Sequence, residues 1–145
     1  MGVISKTEDV PFSADQMYEL VNDVESYPEF LSWCRSSKIH ERSPHHMKAS
    51  ITLVKGRIKQ SFTTENTMQP GRRIDVSLVE GPFKQLTGFW EFEPEGVDSC
   101  RVSVMMQFEF RNRLLKLALE AVFNQITGTL IENFTERARQ VFGTR

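Results

Sequence analysis

The last third of the chain combines two hydrophobic patterns that predict different elements. Apolar side chains first recur at every second position, as in a strand with one buried face: Cys100, Val102, Val104, Met106, Phe108 and Phe110. After Asn112 the apolar positions follow helical spacing, in the stripe Leu115, Leu119, Val122, Ile126, Leu130, Phe134, Ala138 and Val141. A sheet and a helix with matching apolar faces bury both by packing together, which leaves either a solid core or a cleft between them.

Two short helices are predicted near the start of the chain. Ser13, with a glutamine three places on, forms a capping box that satisfies backbone N–H groups at a helix start, so we predict a helix over residues 14–23. Ser26 and Glu29 repeat this cap pattern before a second, very short helix over residues 27–31.

Residues 35–110 predict six consecutive antiparallel strands joined by tight turns. The turns contain glycine, proline or short polar runs, at residues 43–46, 55–56, 69–71, 80–82 and 94–96. Together with a first strand over residues 2–10, the sheet has about seven strands. The predicted fold class is α+β, with an antiparallel sheet wrapped around a long C-terminal helix, and residues 1–145 form one domain.

The C-terminal helix is predicted to be one continuous rod. Asn112 is its N-cap and Gly143 ends it, so at about 1.5 Å per residue it would span some 45 Å. Gly88, within a strand, and Gly128, within the helix, each cost about 0.5–1 kcal/mol relative to alanine. Each therefore marks a bend or a close approach, or is merely a tolerated position.

Composition limits the classes of function. The 18 basic and 19 acidic residues give a formal net charge of −1, so the chain lacks an overall basic field for neutralising phosphates, and DNA is not an expected partner. No apolar run approaches the ~20 residues that span a bilayer, and no signal-peptide pattern occurs. Cys34 and Cys100 have neither metal nor redox spacing. We expect half-buried thiols in a reducing compartment, and hence a cytoplasmic location.

Few residues are candidates for chemistry. His45 and His46 lie in a polar turn and His40 alternates with exposed residues, so all three are expected in solvent. The chain contains no nucleophile elbow, no phosphate loop and no cluster with metal-ligand spacing. The sequence therefore predicts neither a catalytic set nor a metal site, and no enzyme.

The inner face of the predicted sheet is rich in aromatic side chains, with a few polar groups in phase. These residues are Phe62, Trp90, Phe92, Phe108 and Phe110, with Gln60, Thr64 and Asn66 as the polar members. The pattern fits a core of large side chains, and it also fits a ligand cavity with apolar walls and a few convergent polar groups. An empty cavity of roughly 300 Å³ would cost on the order of 7 kcal/mol, so a pocket of that size is expected to be lipid-filled, partly hydrated or collapsible.

Two apolar loops are candidates for the mouth of such a cavity. One carries Tyr27, Phe30, Leu31 and Trp33, and the other carries Pro82 and Phe83 at a hairpin tip. The same residues would equally serve to fasten the short helices onto the sheet, and the sequence leaves both interpretations open.

Several segments in order resemble the coenzyme-Q-binding branch of the START/polyketide-cyclase-like superfamily, and within it the bacterial ribosome association toxins. They are residues 10–14 (VPFSA), 27–34 (YPEFLSWC), 80–86 (EGPFKQL), 90–92 (WEF) and 108–110 (FEF). The likeness covers essentially the whole chain. Ser32 departs from it, since the family often has proline there.

The resemblance implies a helix-grip fold, in which a curved sheet folds around the C-terminal helix and encloses a hydrophobic tunnel. It implies binding of ubiquinone or a related polyprenyl lipid in support of respiration, with no cofactor required. Under this hypothesis the ligand headgroup lies towards Gln60, Thr64 or Asn66. The residues expected to line the tunnel are Phe62, Leu86, Trp90, Phe92, Val102, Val104, Met106, Phe108, Leu119, Phe123, Ile126 and Leu130.

Two other functions remain open at the level of sequence. The resemblance to the toxins implies an effect on ribosomal subunit association, which makes a ribosomal subunit a possible partner and which no residue pattern derives. A polyketide-cyclase-like enzyme would need an acid or a base on the inward face. A lipid carrier would also make transient contact with a membrane surface.

Overall fold

One seven-stranded antiparallel sheet carries the fold of the computed structural model, which describes residues 2–143. In chain order the elements are β1 (Gly2–Val10), α1 (Ala14–Asn22), a 3₁₀ turn (Val24–Ser26), α2 (Tyr27–Phe30), β2 (Cys34–Arg42), β3 (His46–Lys55), β4 (Ile58–Gln69), β5 (Arg73–Glu80), β6 (Phe83–Gly96), β7 (Ser99–Phe110), α3 (Arg113–Gly128) and α4 (Leu130–Phe142). The strand order is β1-β7-β6-β5-β4-β3-β2. The predicted α+β fold is confirmed; the single domain predicted over 1–145 includes Met1, Thr144 and Arg145, which lie outside the described residues.

The strands form a meander because each turn has the chemistry its geometry requires. Gly56 has a φ of +60° in the two-residue connection between β3 and β4, and Gly71 has a φ of +76° between β4 and β5. Side chains with a Cβ rarely adopt such angles. Only β1 joins the sheet from a distance in sequence, pairing with β7 from Gly2 opposite Phe108 to Val10 opposite Cys100.

The two predicted helix caps have different outcomes. Ser13 and Gln16 form the predicted capping box, with bonds of 3.0 and 3.1 Å between their side chains and each other's backbone N–H groups. The predicted Ser26–Glu29 cap is wrong. Ser26 has helical backbone angles, because a 3₁₀ turn already precedes α2, and its hydroxyl donates to Asp23 Oδ2 at 2.6 Å.

The predicted single C-terminal rod is also wrong, because the helix breaks at Thr129. α3 and α4 meet at an angle of 44°. The Thr129 N–H bonds the Ile126 carbonyl at 3.2 Å instead of continuing the α-helical ladder, and its hydroxyl donates to the freed Gln125 carbonyl at 3.1 Å. A hydroxyl inserted into the ladder directly after a glycine is a recognised cause of a kink.

The inner faces of both helices lie on the sheet. α3 buries Leu119, Phe123, Ile126 and Thr127, and α4 buries Leu130, Ile131, Phe134, Thr135 and Ala138. Val141, at the end of the predicted stripe, is half exposed. No single helix in the described part of the chain is long and apolar enough to cross a bilayer; only α3 and α4 taken together across their bend have that length and composition.

The two glycines that the sequence left undecided have opposite surroundings. A Cβ on Gly88 would lie 2.3 Å from the Met105 carbonyl oxygen and 2.5 Å from the Met106 sulfur, so the neighbouring strand β7 requires glycine there. A Cβ on Gly128 would meet nothing within 4 Å. Gly88 therefore marks a close approach, whereas Gly128 is a tolerated position.

These surroundings predict opposite effects on stability. Gly88→Ala is expected to lower the free energy of unfolding by about 2–4 kcal/mol, because a backbone carbonyl cannot move aside as a flexible side chain would. Gly128→Ala is expected to raise it by about 0.5–1 kcal/mol, through the better helix propensity of alanine. Chemical denaturation of both variants checks this, and a Gly88→Ala variant as stable as the parent would contradict the close approach.

Candidate functional site

A cavity lies between the sheet and the bend that joins α3 to α4. The space open to the centre of a water molecule is about 110 Å³. Its lining comes from β3, β4, β5, β6 and β7, from both C-terminal helices, from α1, and from the segment between α1 and β2. The lining residues are Val21, Val24, Tyr27, Trp33, Ala49, Ile51, Leu53, Phe62, Thr64, Asn66, Ile74, Val76, Leu86, Trp90, Met106, Phe123, Ile126, Thr127, Leu130 and Phe134.

Few polar groups reach this cavity, and most are already paired. The Thr127 hydroxyl donates to the Phe123 carbonyl of its own helix at 2.7 Å. The Thr64 hydroxyl donates to Asn66 Oδ1 at 3.1 Å, which fixes the amide so that its Nδ2 group faces away from that bond. No partner for Asn66 Nδ2 is found within residues 2–143. The polar side of the cavity therefore offers a hydrogen-bond donor.

Trp33 contributes a second unsatisfied donor. Its Nε1 atom is buried and has no hydrogen-bond partner, although the side chain as a whole is only partly buried. The loop is held by a bond of 2.8 Å from the Val54 N–H to the Trp33 carbonyl, which fastens it to β3. A buried donor without an acceptor costs about 1–3 kcal/mol, and a ligand oxygen would relieve that cost.

Tyr27 is the one lining residue in the described chain with an ordinarily titratable side chain. Burial raises the pKa of its phenol far above the usual range, with smaller contributions from Cys34 and Asp23. The hydroxyl donates to the Val21 carbonyl, so it is both neutral and already engaged. The cavity lining contains no carboxylate, imidazole, amine or thiol among the residues described.

A second, smaller space extends from the first towards the turn between β5 and β6. It is about 20 Å³ on the same measure and shares Leu53, Phe62 and Phe123 with the main cavity. Its remaining lining is Gln60, Pro82, Phe83, Phe110, Leu119 and Val122. The three shared side chains therefore lie between the two spaces.

The structure brings many of the predicted site residues together. Of the predicted tunnel, Phe62, Leu86, Trp90, Met106, Phe123, Ile126 and Leu130 line the main cavity, together with Thr64 and Asn66 of the predicted polar set and Tyr27 and Trp33 of the predicted mouth. Leu119, Gln60, Pro82 and Phe83 line the smaller space. Ligand contact by these residues stays a prediction.

Four predicted tunnel residues lie outside both spaces. Phe92, Val102 and Val104 are fully buried on the part of the sheet that α1 and α4 cover, where Phe92 contacts the Tyr18 ring edge-on at 5.8 Å. Phe108 lies in a separate cluster with Phe123, ring centres 4.7 Å apart. Side chains of one strand face thus divide between core and cavity according to which helix lies above them.

Two residues of the predicted mouth are also placed differently. Leu31 is buried in the core at 1% exposure. Phe30 packs against Phe134, with ring centres 5.3 Å apart, and the Arg137 guanidinium lies 4.9 Å from its ring centre. Phe30 therefore fastens α2 to α4, whereas the alternative that the sequence left open was attachment of the short helices to the sheet.

Nine lining residues were missed at the level of sequence. They are Val21, Val24, Ala49, Ile51, Leu53, Ile74, Val76, Thr127 and Phe134. The alternation in β3 and β5 marked the strand members as buried, but periodicity alone does not say which buried residues face a void. For Ala49, Ile51, Leu53, Ile74 and Val76 the signal that would have found them is central position, because β3 and β5 lie beneath the helix bend; it does not apply to Val21, which α1 contributes.

Among the described residues, the cysteines and the acidic residues do not form a metal site. Cys34 and Cys100 are free and fully buried rather than half-buried, and burial raises the pKa of each thiol to about 11. Within residues 2–143, no group of three or more His, Cys, Asp or Glu side chains is arranged to hold a metal ion.

Residues 10–135 match the family model described as polyketide cyclase/dehydrase and lipid transport. The ribosome association toxin RatA of Escherichia coli K12 is 43% identical over 145 residues, which are all of this chain and 92% of the toxin. A mitochondrial coenzyme Q-binding protein, COQ10 homolog B of Xenopus laevis, is 24% identical over 96% of this chain and 59% of its own length.

A solved structure shares the architecture. A START superfamily protein from Mycobacterium smegmatis superposes with a TM-score of 0.77 at 22% identity, covering 96% of this chain and 98% of that one. The seven-stranded sheet over two C-terminal helices is thus a START-like helix-grip fold. By the match over residues 10–135, the chain belongs to the polyketide cyclase/dehydrase and lipid transport family.

Proposed function

We propose that the protein binds a quinone or a related polyprenyl lipid without chemical conversion, in support of cellular respiration. The observation that carries this proposal is an apolar cavity lined by Trp33, a residue whose Nε1–H is buried and unpartnered. A quinone ring offers what this site lacks, because it is flat and apolar and its carbonyl oxygens accept hydrogen bonds. The coenzyme Q-binding relative supports the same ligand class.

The size of the cavity dictates how such a ligand binds. A cavity of about 150 Å³ admits one benzene ring, so at about 110 Å³ the resting cavity must widen slightly for a substituted quinone ring. The direction of widening follows from the smaller space beyond Leu53, Phe62 and Phe123. Rotation of these side chains would join the two spaces, with the ring near Trp33 and Asn66 and the isoprenoid tail directed towards Pro82.

A titration with short-chain ubiquinone tests this function. Both tryptophans of the chain line the cavity, so ligand binding is expected to quench their fluorescence and raise the unfolding temperature. Ala49→Leu is expected to weaken binding about tenfold or more while leaving stability near the parent value, because the added carbons occupy the void.

The matched control for this titration is Thr87→Leu, which adds a leucine at an exposed position of β6. It is expected to bind like the parent. Neither quenching nor a thermal shift in the parent at saturating, soluble ligand would contradict quinone binding, and equal binding by Ala49→Leu would place the ligand elsewhere.

Trp33→Phe tests the role of the indole N–H. The substitution keeps an aromatic ring and removes the donor, so quinone affinity is expected to fall about three- to tenfold, the value of one neutral hydrogen bond. Stability without ligand is expected to stay equal or to rise, since a buried unsatisfied group is removed. An alkylbenzene of similar size, which has no acceptor, is expected to bind both proteins equally. If it too binds Trp33→Phe more weakly, the ring shape and not the N–H accounts for the loss.

A second candidate function is interference with ribosomal subunit association. It rests on the 43% identity to RatA over the whole chain. We expect the purified protein, added to ribosomes under association conditions, to increase the free subunits in a sucrose gradient. Ala49→Leu in parallel shows whether this effect needs the cavity, and an unchanged subunit ratio at excess protein would remove this candidate.

Cyclase-like catalysis is less well supported by the geometry. Acid–base catalysis needs a titratable group that can exchange a proton near neutral pH. Tyr27 is neutral and engaged with the Val21 carbonyl, and no other ordinarily titratable side chain lines the cavity within the described chain. Binding without conversion is therefore the function that we propose, and a cytoplasmic location stays a prediction.

A further inference from the structure

The outer face of α3 carries an apolar stripe that none of residues 2–143 covers. Leu114 and Leu117 are 77% and 73% exposed. Ala118 and Ala121 are also exposed and follow them at helical spacing. Most helices on a domain surface have a polar outer face. α3 differs, because it carries apolar residues on its outer face as well as on the inner face that packs on the sheet.

Basic residues are frequent in the segment that carries the stripe and in two turns next to α3. Seven of them are exposed in three segments, 55–59, 80–84 and 109–121: Lys55, Arg57, Lys59, Lys84, Arg111, Arg113 and Lys116. The same segments contain only three acidic residues, Glu80, Glu109 and Glu120, which leaves a net charge of +4. The chain as a whole carries −1, so positive charge is concentrated here.

Hydrogen bonds hold the two turns, 55–59 and 80–84, against α3. The Arg111 N–H donates to the Pro82 carbonyl at 3.0 Å, which joins the start of α3 to the β5–β6 turn. Lys55 Nζ donates to Gln125 Oε1, which joins the β3–β4 turn to the other end of α3. We call these three segments the docking end.

We propose that the docking end binds an anionic lipid bilayer. Leu114 and Leu117 enter the boundary between headgroups and acyl chains, and the surrounding lysines and arginines contact lipid phosphates. A helix that combines exposed leucines with flanking basic residues has the composition of an interfacial membrane anchor. The positive charge of the docking end complements the negative charge of such a surface.

Two other occupants fit less well. RNA would use the basic residues, but its recognition relies on stacking with aromatic or arginine side chains and leaves exposed leucines without a role. A second copy of this chain would bring two ends of like charge together, which is unfavourable in the absence of acidic partners.

Co-sedimentation with vesicles tests the docking end without any quinone. The parent is expected to pellet with vesicles that contain phosphatidylglycerol, and much less with pure phosphatidylcholine or at high salt. Leu114→Ser combined with Leu117→Ser is expected to weaken binding about tenfold or more. Arg113→Gln combined with Lys116→Gln is expected to weaken it about fivefold for each charge removed.

Val97→Ser is the matched control, because Val97 is 90% exposed in the turn between β6 and β7, outside the docking end. Its binding is expected to equal that of the parent. Thermal unfolding should show all variants folded, since every substituted side chain is exposed.

Three results would overturn the proposal. The first is that the parent does not pellet with anionic vesicles, and the second is that Val97→Ser and the double leucine variant lose vesicle binding equally. The third is that the parent is a dimer and the double leucine variant is a monomer. Pelleting with ribosomes that depends on the arginine and lysine but not on the leucines would assign the surface to RNA instead. Because no quinone is present, failure here leaves the ubiquinone titration unaffected.

Discussion

The bend at Thr129 is the constraint on which the rest of the site depends. A curved sheet cannot be covered along its length by a straight rod, and the break lets α3 and α4 lie on different parts of the concave surface. α3 is anchored by aromatic contacts, with Phe123 lying 4.7 Å from Phe108 and 5.1 Å from Phe83 between ring centres. α4 is anchored through Phe134, 5.5 Å from Trp90. The cavity lies between these two anchors, where neither helix can fill the space, and its helical lining runs from residue 123 to residue 134, across the bend.

The cost of this void is small enough for the empty protein to tolerate. At ~24 cal/mol per Å³, a cavity of 110 Å³ costs roughly 2.6 kcal/mol. That is well below the roughly 7 kcal/mol expected for a pocket of the size at which small-molecule sites begin. The cavity of the resting protein thus resembles a collapsible pocket more than a preformed tunnel. Side chains in a packed interior move between discrete arrangements, so the partition formed by Leu53, Phe62 and Phe123 is the natural place for such a change.

Local signals predicted most of the elements, with the Ser26–Glu29 cap as an exception, and long-range geometry accounts for the larger errors. The Ser13 capping box, the Asn112 cap and the turns at Gly56 and Gly71 each depend on neighbours within a few residues, and each is present, whereas the turn predicted at 94–96 lies within β6. The bend at Thr129 could not be predicted from spacing, because the apolar stripe continues through it with helical period. The division of inward residues between core and cavity was likewise invisible: Trp90 and Phe92 share one strand face, yet Trp90 lines the cavity while Phe92 lies in the core against Tyr18 on α1.

Net charge is a coarse guide to partners in the same way, because it averages over surfaces that act separately. The value of −1 argued against DNA as a partner, and the basic residues are not spread evenly along the chain. Elsewhere acidic side chains neutralise them in pairs, as Asp75 and Glu91 do for Arg73 at 3.0 and 3.1 Å, and as Asp9 does for Arg101 at 3.1 Å. At the docking end such neutralisation is sparse. Lys116 Nζ lies 3.9 Å from Glu120 Oε2, which is a longer ion pair than those of Arg73 and Arg101. The electrostatic property that matters for a partner is the field of one face, and folding, not composition, decides it.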